Sequence, residues 1–520
     1  MDFVSKYLTE TNLTSSESWF YARKINLAAT QEWADYIAQR GVDAWLEEQL
    51  NPEGITESPS YERERKALFP STFTAPSGNK TLDKTFWDTY QPSSRRSHPY
   101  EVSVYVLESA LHRLWASKKQ LQANMALFWA DVLAATIEKA PDGYHDYIAM
   151  LFDGALGKYK DLLYNIATSQ TMAIFLDNNT NTQFALNENM GRELMELHSW
   201  GPEKGYSQED VISVSKLLTG LGANVAEKFT EAKPELHYFG ELTVAGKTFA
   251  NSGSTTEDIY KTVRELTDHL ASDRFTGLRL ARRLIQYFIG QEGDYEALAQ
   301  RLATTYTSND TEIRPVLREL LTSQEFKNSG GQTIRRPWAV LCSMLASGKL
   351  ELKGYHDVSN PDTITAPLYK MFLTLKYDTG GMPFDAPATN GYPLDAEEWI
   401  NSVSYAGLSS FNRYANYVSK WDGDSVDSLA NWANPITWSS CAGIEIGKTS
   451  LTDAAKAIFQ YLSGYEANSQ AVVDAIALYA TARDEQTVLS ASPSDGTVES
   501  EEQVQRMVEA AMTAPHMLIS

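Results

Sequence analysis

Three oxygen-bearing side chains, Asn189, Glu193 and Glu196, follow one another at spacings of four and three residues. In a helix this spacing places all three on one narrow face. An apolar stripe with the i, i+4, i+7 spacing of an amphipathic helix runs beside that face and consists of Met190, Leu194 and Leu197. Because an unpartnered carboxylate is costly to desolvate, carboxylates at the edge of a buried stripe indicate a site or an ion-pair network.

Three interpretations fit these residues. Glu193 and Glu196 could share a hard cation such as Ca²⁺ or Mg²⁺, with the Asn189 oxygen as a further ligand. The two carboxyl groups could instead act as a catalytic acid and base, if one were desolvated and the other were not. Glu188–Arg192 and Arg192–Glu196 are also i, i+4 pairs, so the same residues could form ion pairs that brace neighbouring helices. The sequence leaves these interpretations open.

The flanking residues predict where this central helix begins and ends. Asn187 is a suitable N-cap, and Glu188 then places a negative charge in the first turn, where it suits the helix dipole. His198 falls in the predicted last turn, where a histidine is compatible with the dipole. Gly201 can adopt a left-handed conformation after the helix, and Pro202 cannot continue it. The pattern therefore predicts a complete, capped helix.

Composition and charge exclude several classes of function. The chain has 520 residues, 43% of them hydrophobic, and a formal net charge of −22. This charge argues against nucleic acid and anionic membranes as partners, since clustered Lys and Arg bind both. No run approaches the ~18 consecutive apolar residues of a membrane span. The first residues show no basic region followed by an apolar run, so no signal peptide is visible.

Helical periodicity dominates and predicts a mainly α protein, a multi-helical globular array that forms one extended domain over residues 1–520. Residues 52–98 are rich in Pro, Ser, Thr and charge, which predicts a surface connection. Residues 224–253 contain alternating and β-branched residues, which predicts a small β-hairpin insertion. Residues 376–396 form a Gly/Pro/Asp-rich loop, and a loop of this length is usually functional or closely packed.

A cleft is predicted between this loop and the central helix, since several polar side chains of the loop could line it. The predicted cleft residues are Asn187, Glu188, Asn189, Arg192, His198, Trp129, Asp385, Asn390 and Tyr392. The helix after the central one is predicted to begin with a capping box, because Asp210 follows Ser207 by three residues.

Asn-Glu-Asn at 187–189, followed by Arg-Glu-Leu-Met-Glu-Leu at 192–197, resembles the signature of a known family, domain of unknown function 1800. The resemblance extends over nearly the whole chain. Its further matching stretches are GVDAWLEEQLNP at 41–52, MALFW at 125–129, LARRLIQYFI at 280–289, IRRP at 334–337 and GMPFDAPATNGYP at 381–393.

The resemblance implies a mostly helical fold and, for many members, export beside a partner protein of the domain-of-unknown-function-1501 type. It implies no reaction. A periplasmic or extracellular location is therefore expected from the resemblance, while a cytoplasmic location stays open because no signal peptide is visible in the sequence. One branch of the family carries two histidines where this chain has Ala130 and Val132, and a family His-Asp pair is here His237-Tyr238.

Two classes of function follow. The lost histidines favour a non-catalytic binding or scaffold protein of the envelope or exterior, which works with an exported partner and contacts polysaccharide. The alternative is a hydrolase acting on an extracellular polymer, with Glu193 and Glu196 as its chemical groups and a divalent cation as a candidate cofactor.

Overall fold

A computed structural model gives the structure of the chain. The residues that it describes are 16–67, 98–141, 143–222, 232–291, 293–349, 367–393, 399, 407, 437–465, 470–481 and 496–518. Over these ranges the protein is mainly α-helical and has one two-stranded antiparallel hairpin, which confirms the predicted fold class. No helix in these ranges combines the length and the apolar character needed to cross a membrane.

The N-terminal helices surround one buried helix. They are α1 (Glu17–Ile25), α2 (Gln31–Arg40), α3 (Val42–Leu50), α4 (Pro59–Ala67), α5 (His98–Ala116) and α6 (Gln120–Val132). Nearly every residue of α6 is buried, and α6 packs against α1, α3 and α5. Helix α4 and a 3₁₀ turn at Pro52–Gly54 lie inside the predicted connection 52–98, which therefore contains regular structure; residues 68–97 lie outside the described ranges.

The central helices follow as a second group. They are α7 (Tyr144–Asp153), α8 (Tyr159–Ala167), α9 (Gln170–Phe175), α10 (Asn189–Glu196) and α11 (Gln208–Leu217), with 3₁₀ turns at Asn178–Thr180 and Pro202–Lys204. Helix α10 packs closely on α11, because a Cβ on Gly191 would lie 2.3 Å from the Ser215 hydroxyl oxygen. The predicted capping box is present at the start of α11, where Ser207 and Asp210 bond reciprocally to each other's backbone N–H.

The hairpin consists of β1 (Leu242–Val244) and β2 (Lys247–Phe249), inside the predicted range 224–253. Its two turn residues, Ala245 and Gly246, both have positive φ (+45° and +85°), as a type I′ turn requires. The Ala245 N–H donates to the Asp210 carboxylate at 2.6 Å, which ties the turn to α11. Residues 224–231 of the predicted insertion lie outside the described ranges.

The C-terminal half continues the helical array. Its first helices are α12 (Thr256–Ala271), α13 (Arg274–Phe288), α14 (Glu296–Ser308), α15 (Ile313–Thr322), α16 (Gln324–Lys327), α17 (Pro337–Ser347) and α18 (Pro367–Thr379). The last are α19 (Trp438–Cys441), α20 (Leu451–Ser463), α21 (Gln470–Thr481) and α22 (Glu501–Met512), before a 3₁₀ turn at Pro515–Leu518. The predicted loop 376–396 starts later than expected, since residues 376–379 end α18.

One continuous cluster of buried apolar side chains runs from α1 to the final 3₁₀ turn. Helix α17 joins the two halves, because it packs against α5 and α20. This packing brings α1, α6, α13 and the segment before α17 together, although they are far apart in sequence.

Candidate functional site

The start of the central helix is held by two asparagine side chains. Helix α10 begins at Asn189, one residue later than predicted, so its N-cap is Glu188, which makes no side-chain capping bond, and the predicted Asn187 cap is wrong. Asn187 lies one residue before the N-cap, where its Oδ1 accepts the Asn189 N–H at 3.0 Å. The Asn187 amide donates to the Asp177 carbonyl at 3.2 Å, and the Asn189 amide donates to the Leu176 carbonyl at 3.1 Å. These bonds fasten the helix start to the preceding turn.

The end of the central helix differs from the prediction, because α10 stops at Glu196 and His198 lies beyond it. The His198 N–H donates to the Glu193 carbonyl at 3.0 Å, five residues back, so the last turn is widened. The Ser199 hydroxyl donates a hydrogen bond to the Leu194 carbonyl at 2.6 Å. The Glu193 carbonyl also accepts the Leu197 N–H, whereas the Ser199 bond satisfies the Leu194 carbonyl, which the helix would otherwise leave open. His198 therefore belongs to the interior below the helix and not to its last turn.

The acidic face of α10 lies at the edge of the core. Glu193 and Glu196 are partly buried, and Asn189 is exposed. Burial raises the pKa of Glu193, the Glu196 carboxylate raises it further, and the Arg192 charge opposes both effects. Glu196 accepts a bond from the Tyr206 hydroxyl at 3.5 Å. No group of three or more His, Cys, Asp or Glu that could hold a metal occurs in the described part of the chain.

Arg192 is turned away from this face. Its guanidinium donates to Glu188 at 3.2 Å and to Gln208 at 3.0 Å, and the Gln208 amide donates to Glu188 at 2.7 Å. The expected Arg192–Glu196 pair is not among the ion pairs of the described residues, since Arg192 reaches the start of α11 instead. The ion pairs of α10 therefore brace its first turn against α11 and leave Glu193 and Glu196 outside them.

Trp129 and His198, both predicted to line a cleft, lie in the interior, where one tyrosine connects them. The Trp129 ring is fully buried, stacks on Tyr159 at 5.1 Å between ring centroids, and donates to the Ala155 carbonyl at 2.9 Å. The Tyr159 hydroxyl donates to the His198 carbonyl.

His198 is 1% exposed, and neither of its ring nitrogens has a hydrogen-bond partner. Burial, followed by the charges of the nearby Arg279 and Arg283, lowers its pKa to about 3. His198 is thus a neutral imidazole at pH 7.

The predicted loop is fastened to α13 and α18. Asp385 is buried and accepts a bond from the Lys376 ammonium at 2.8 Å, while the Tyr392 hydroxyl donates to the Asp385 carbonyl at 2.7 Å. The Asn390 carbonyl accepts a bond from Arg283 at 3.5 Å. None of the hydrogen bonds of these three loop residues to other described residues reaches α10.

Two of the stretches that carry the family resemblance meet at Asp131, which lies two residues after a third, MALFW. Its carboxylate forms a buried ion pair with Arg336 of the IRRP stretch, with 2.7 Å between nitrogen and oxygen, and accepts the Tyr392 N–H at 3.4 Å. Gly391 has φ +77°, and a Cβ on it would lie 2.2 Å from the Asp131 carbonyl oxygen. Only glycine permits this approach of the loop to α6.

A polar cavity of about 80 Å³ adjoins this ion pair, and the sequence did not predict it. Its lining includes Arg23, Lys24 and Asn26 from the end of α1, and Arg335 and Arg336 from the segment before α17. The available signal was the pair of adjacent cations in each segment, Arg23-Lys24 and Arg335-Arg336. Neither pair stands out by sequence, because Lys and Arg near a helix end or a proline are ordinarily exposed.

The cations of the cavity are desolvated. Lys24 is 6% exposed, and burial followed by the charge of Arg23 holds its pKa well below the ordinary value. Burial, and then Arg23, lowers the pKa of Arg335 to about 10. Lys24 donates to the Thr333 hydroxyl at 2.7 Å, and Arg335 donates to the Leu27 carbonyl at 3.0 Å. Neither Lys24 nor Arg335 forms an ion pair with a described residue.

Several polar atoms around the cavity have no protein partner. Asn26 is 2% exposed, and neither its amide nitrogen nor its amide oxygen is hydrogen-bonded. The Nε of Arg335 and the Nη2 of Arg336 are also buried without a partner. Buried polar groups are nearly always satisfied, so a concentration of exceptions is informative. Aromatic rings complete the wall, with Trp338 and Trp399 centred 5.2 and 5.6 Å from the Arg336 guanidinium.

The structure thus defines a mainly helical protein with an acidic helix face and, separately, a cation-lined cavity where its matching stretches meet. The family model described as "Protein of unknown function (DUF1800)" matches residues 21–519, and the chain belongs to that family. No curated protein and no solved structure matches the chain.

Proposed function

We propose that the protein is a non-catalytic binding protein and that its ligand occupies the cavity between α1, α13 and the IRRP stretch. The observation that carries this proposal is Asn26, whose amide group is buried in the cavity wall with no bond to either polar atom. Leaving a buried donor or acceptor unpaired costs about 1–3 kcal/mol. A ligand that offers both a donor and an acceptor would remove this penalty on binding.

The proposed setting is the cell envelope or exterior, with an exported partner of the domain-of-unknown-function-1501 type and a polysaccharide-related ligand. Family resemblance supports the setting and the partner. Tyr287, Trp338 and Trp399 line the cavity beside amide side chains, and aromatic rings with nearby polar groups suit the two kinds of surface of a sugar. The partner and the glycan are both open to direct test by pull-down and by glycan binding.

We expect Asn26→Leu to abolish ligand binding without weakening the fold, because leucine has similar volume and removes two unsatisfied polar atoms. The measurement is a thermal melt of the full chain with monosaccharides, neutral and acidic, in excess. A ligand should raise the melting temperature of the wild type and leave that of Asn26→Leu unchanged. Lys448→Met, which alters an exposed lysine, is the control and should respond as the wild type does. A ligand that stabilises Asn26→Leu equally would refute the proposed site.

A second candidate is a hydrolase that uses Glu193 and Glu196. The raised pKa of Glu193 favours it, because a partly desolvated acid beside a second carboxylate is the arrangement that acid–base hydrolysis needs. The same pair could hold Ca²⁺ or Mg²⁺ together with Asn189.

We expect Glu193→Gln to leave the melting temperature at pH 7 unchanged or slightly raised. The raised pKa means that the folded state disfavours the charged carboxylate, so a neutral amide removes a small penalty above pH 4.5. Melts of Glu193→Gln and Glu196→Gln, with and without EDTA, separate the interpretations. A clear fall in melting temperature for both variants would support a structural ion network. If EDTA lowers the melting temperature of the wild type alone, the cation site is supported. If the wild type hydrolyses a polymer and both variants do not, the hydrolase is supported.

A further inference from the structure

We propose that the ligand of this cavity carries a compact anionic group, a carboxylate, phosphate or sulfate, which binds between the end of α1 and the IRRP stretch. The inference rests on the proposed binding function and specifies its chemistry. It concerns Arg23, Lys24, Asn26, Arg335 and Arg336, none of which belongs to the acidic face of α10.

The charge distribution is the first argument. Four cationic residues line one small cavity in a chain whose net charge is −22. In such an acidic chain, buried cations would ordinarily acquire carboxylate partners, as Arg336 does with Asp131. Lys24 and Arg335 have none among the described residues. A bound anion would supply the missing counter-charge through charge-assisted hydrogen bonds.

The unpaired donors are the second argument. The amide nitrogen of Asn26, the Nε of Arg335 and the Nη2 of Arg336 are all buried without a partner. All three belong to residues that line the cavity, and Lys24 lines it as well. A tetrahedral or planar oxyanion accepts several N–H donors at once, whereas a neutral hydroxyl would leave the two cations desolvated and uncompensated. The cavity, at about 80 Å³, is of a size for a small group and not for a whole oligosaccharide.

Proton uptake is the expected signature of such binding. The charged residues that line the cavity together with Lys24 are Arg23 on its own helix and Arg335 and Arg336 on the opposite segment, and Tyr287 of α13 lines it as well. All of these charges are positive, and burial followed by the charge of Arg23 favours the neutral amine of Lys24. A bound anion favours the ammonium instead, so binding should take up a proton at Lys24. Affinity should then fall up to about tenfold per pH unit above the Lys24 pKa of the free protein.

The experiment measures binding of sulfate, glucuronate and glucose to the full chain by calorimetry at constant ionic strength. Sulfate keeps its charge across the working pH range, glucuronate carries a carboxylate on a sugar, and glucose is its neutral counterpart. Sulfate is measured at several pH values in two buffers of different ionisation enthalpy, which reports the number of protons taken up. The variants are Lys24→Met and Asn26→Asp, and the control is Lys448→Met.

We expect sulfate and glucuronate to bind the wild type and the control, and glucose not to bind. Lys24→Met should lose at least tenfold in affinity together with the proton uptake. Asn26→Asp places a carboxylate in the cavity wall, so it should raise the melting temperature without ligand and lose anion binding. Tighter binding of glucuronate than of sulfate would identify an acidic sugar, and the reverse would identify a free inorganic anion.

Two failures are distinguishable. Binding of glucose to the wild type, lost in Asn26→Leu, with no binding of either anion, would overturn the anionic ligand and leave the binding function standing. Absence of binding by all three probes, with Lys24→Met and Asn26→Asp folded and unresponsive, would overturn both proposals. General stabilisation by sulfate affects every variant alike, so only the difference between wild type and variants counts.

Discussion

Asp131→Ala is expected to lower the free energy of unfolding by about 3–5 kcal/mol, because it leaves a buried guanidinium without its counter-ion. In the Asp131–Arg336 pair the two side chains are only 5% and 10% exposed. Aromatic rings pack around the guanidinium and offer it no formal negative charge in place of the lost carboxylate. The same substitution also removes the acceptor of the Tyr392 N–H and so loosens the loop at 381–393.

The measurement is urea unfolding of the wild type and the variant at pH 7, followed by tryptophan fluorescence. The double variant Asp131→Leu with Arg336→Met should recover most of the loss, because removing both charges leaves no uncompensated ion. Glu47→Ala is the matched control, since its carboxylate pairs with Arg318 at the surface and is 51% exposed. Its effect should be much smaller. An Asp131→Ala variant as stable as this control would show that the Asp131–Arg336 ion pair is not needed for stability.

His198 is expected to make the protein acid-sensitive. Its pKa is about 3 in the folded protein against 6.5 ordinarily, so the unfolded chain binds more protons between these values. Stability therefore rises with pH over this window, is complete above about pH 6.5, and is lost as the pH falls. From pH 7 to pH 5 the contribution of His198 to the free energy of unfolding should fall by about 2 kcal/mol. The pKa is low because burial disfavours the charged form of the imidazole, and the charges of Arg279 and Arg283 disfavour it as well.

His198→Leu should abolish this part of the pH dependence, because leucine has no group to protonate. The measurement is the unfolding free energy of the wild type and variant at pH 7 and pH 5. The difference between them should change by about 2 kcal/mol in favour of the variant at the lower pH. Tyr159→Phe is the control, since it removes the hydroxyl that bonds the His198 carbonyl and has no titration in this range. Equal acid sensitivity in all three proteins would contradict the assignment.

The predictions that succeeded concern features set by neighbours in the sequence. The spacing of Ser207 and Asp210 predicted a capping box, and both of its bonds are present. Alternating and β-branched residues predicted a hairpin inside 224–253, and it forms at 242–249. Caps, turns and helical periodicity depend on residues within one or two turns of each other, so the chain specifies them locally.

The central helix was predicted from the sequence only in part. Periodicity places Asn189, Glu193 and Glu196 on one face, but it cannot say how buried each one is. It also paired Arg192 with Glu196, whereas Arg192 reaches Gln208 at the start of α11. The length of the helix was overestimated because the bond from the His198 N–H to the Glu193 carbonyl widens its last turn.

Tertiary structure alone decided the environment of the charged groups. Asp131 and Arg336 are 205 residues apart, and no local pattern relates them. The sequence predicts that Lys24 and Arg335 are ordinary surface cations. In the structure, α1 and the IRRP stretch meet in the interior and desolvate both side chains. The reason is physical: local sequence sets which residues share a helix face, whereas the pKa and the pairing of a charge depend on which distant elements exclude water from it.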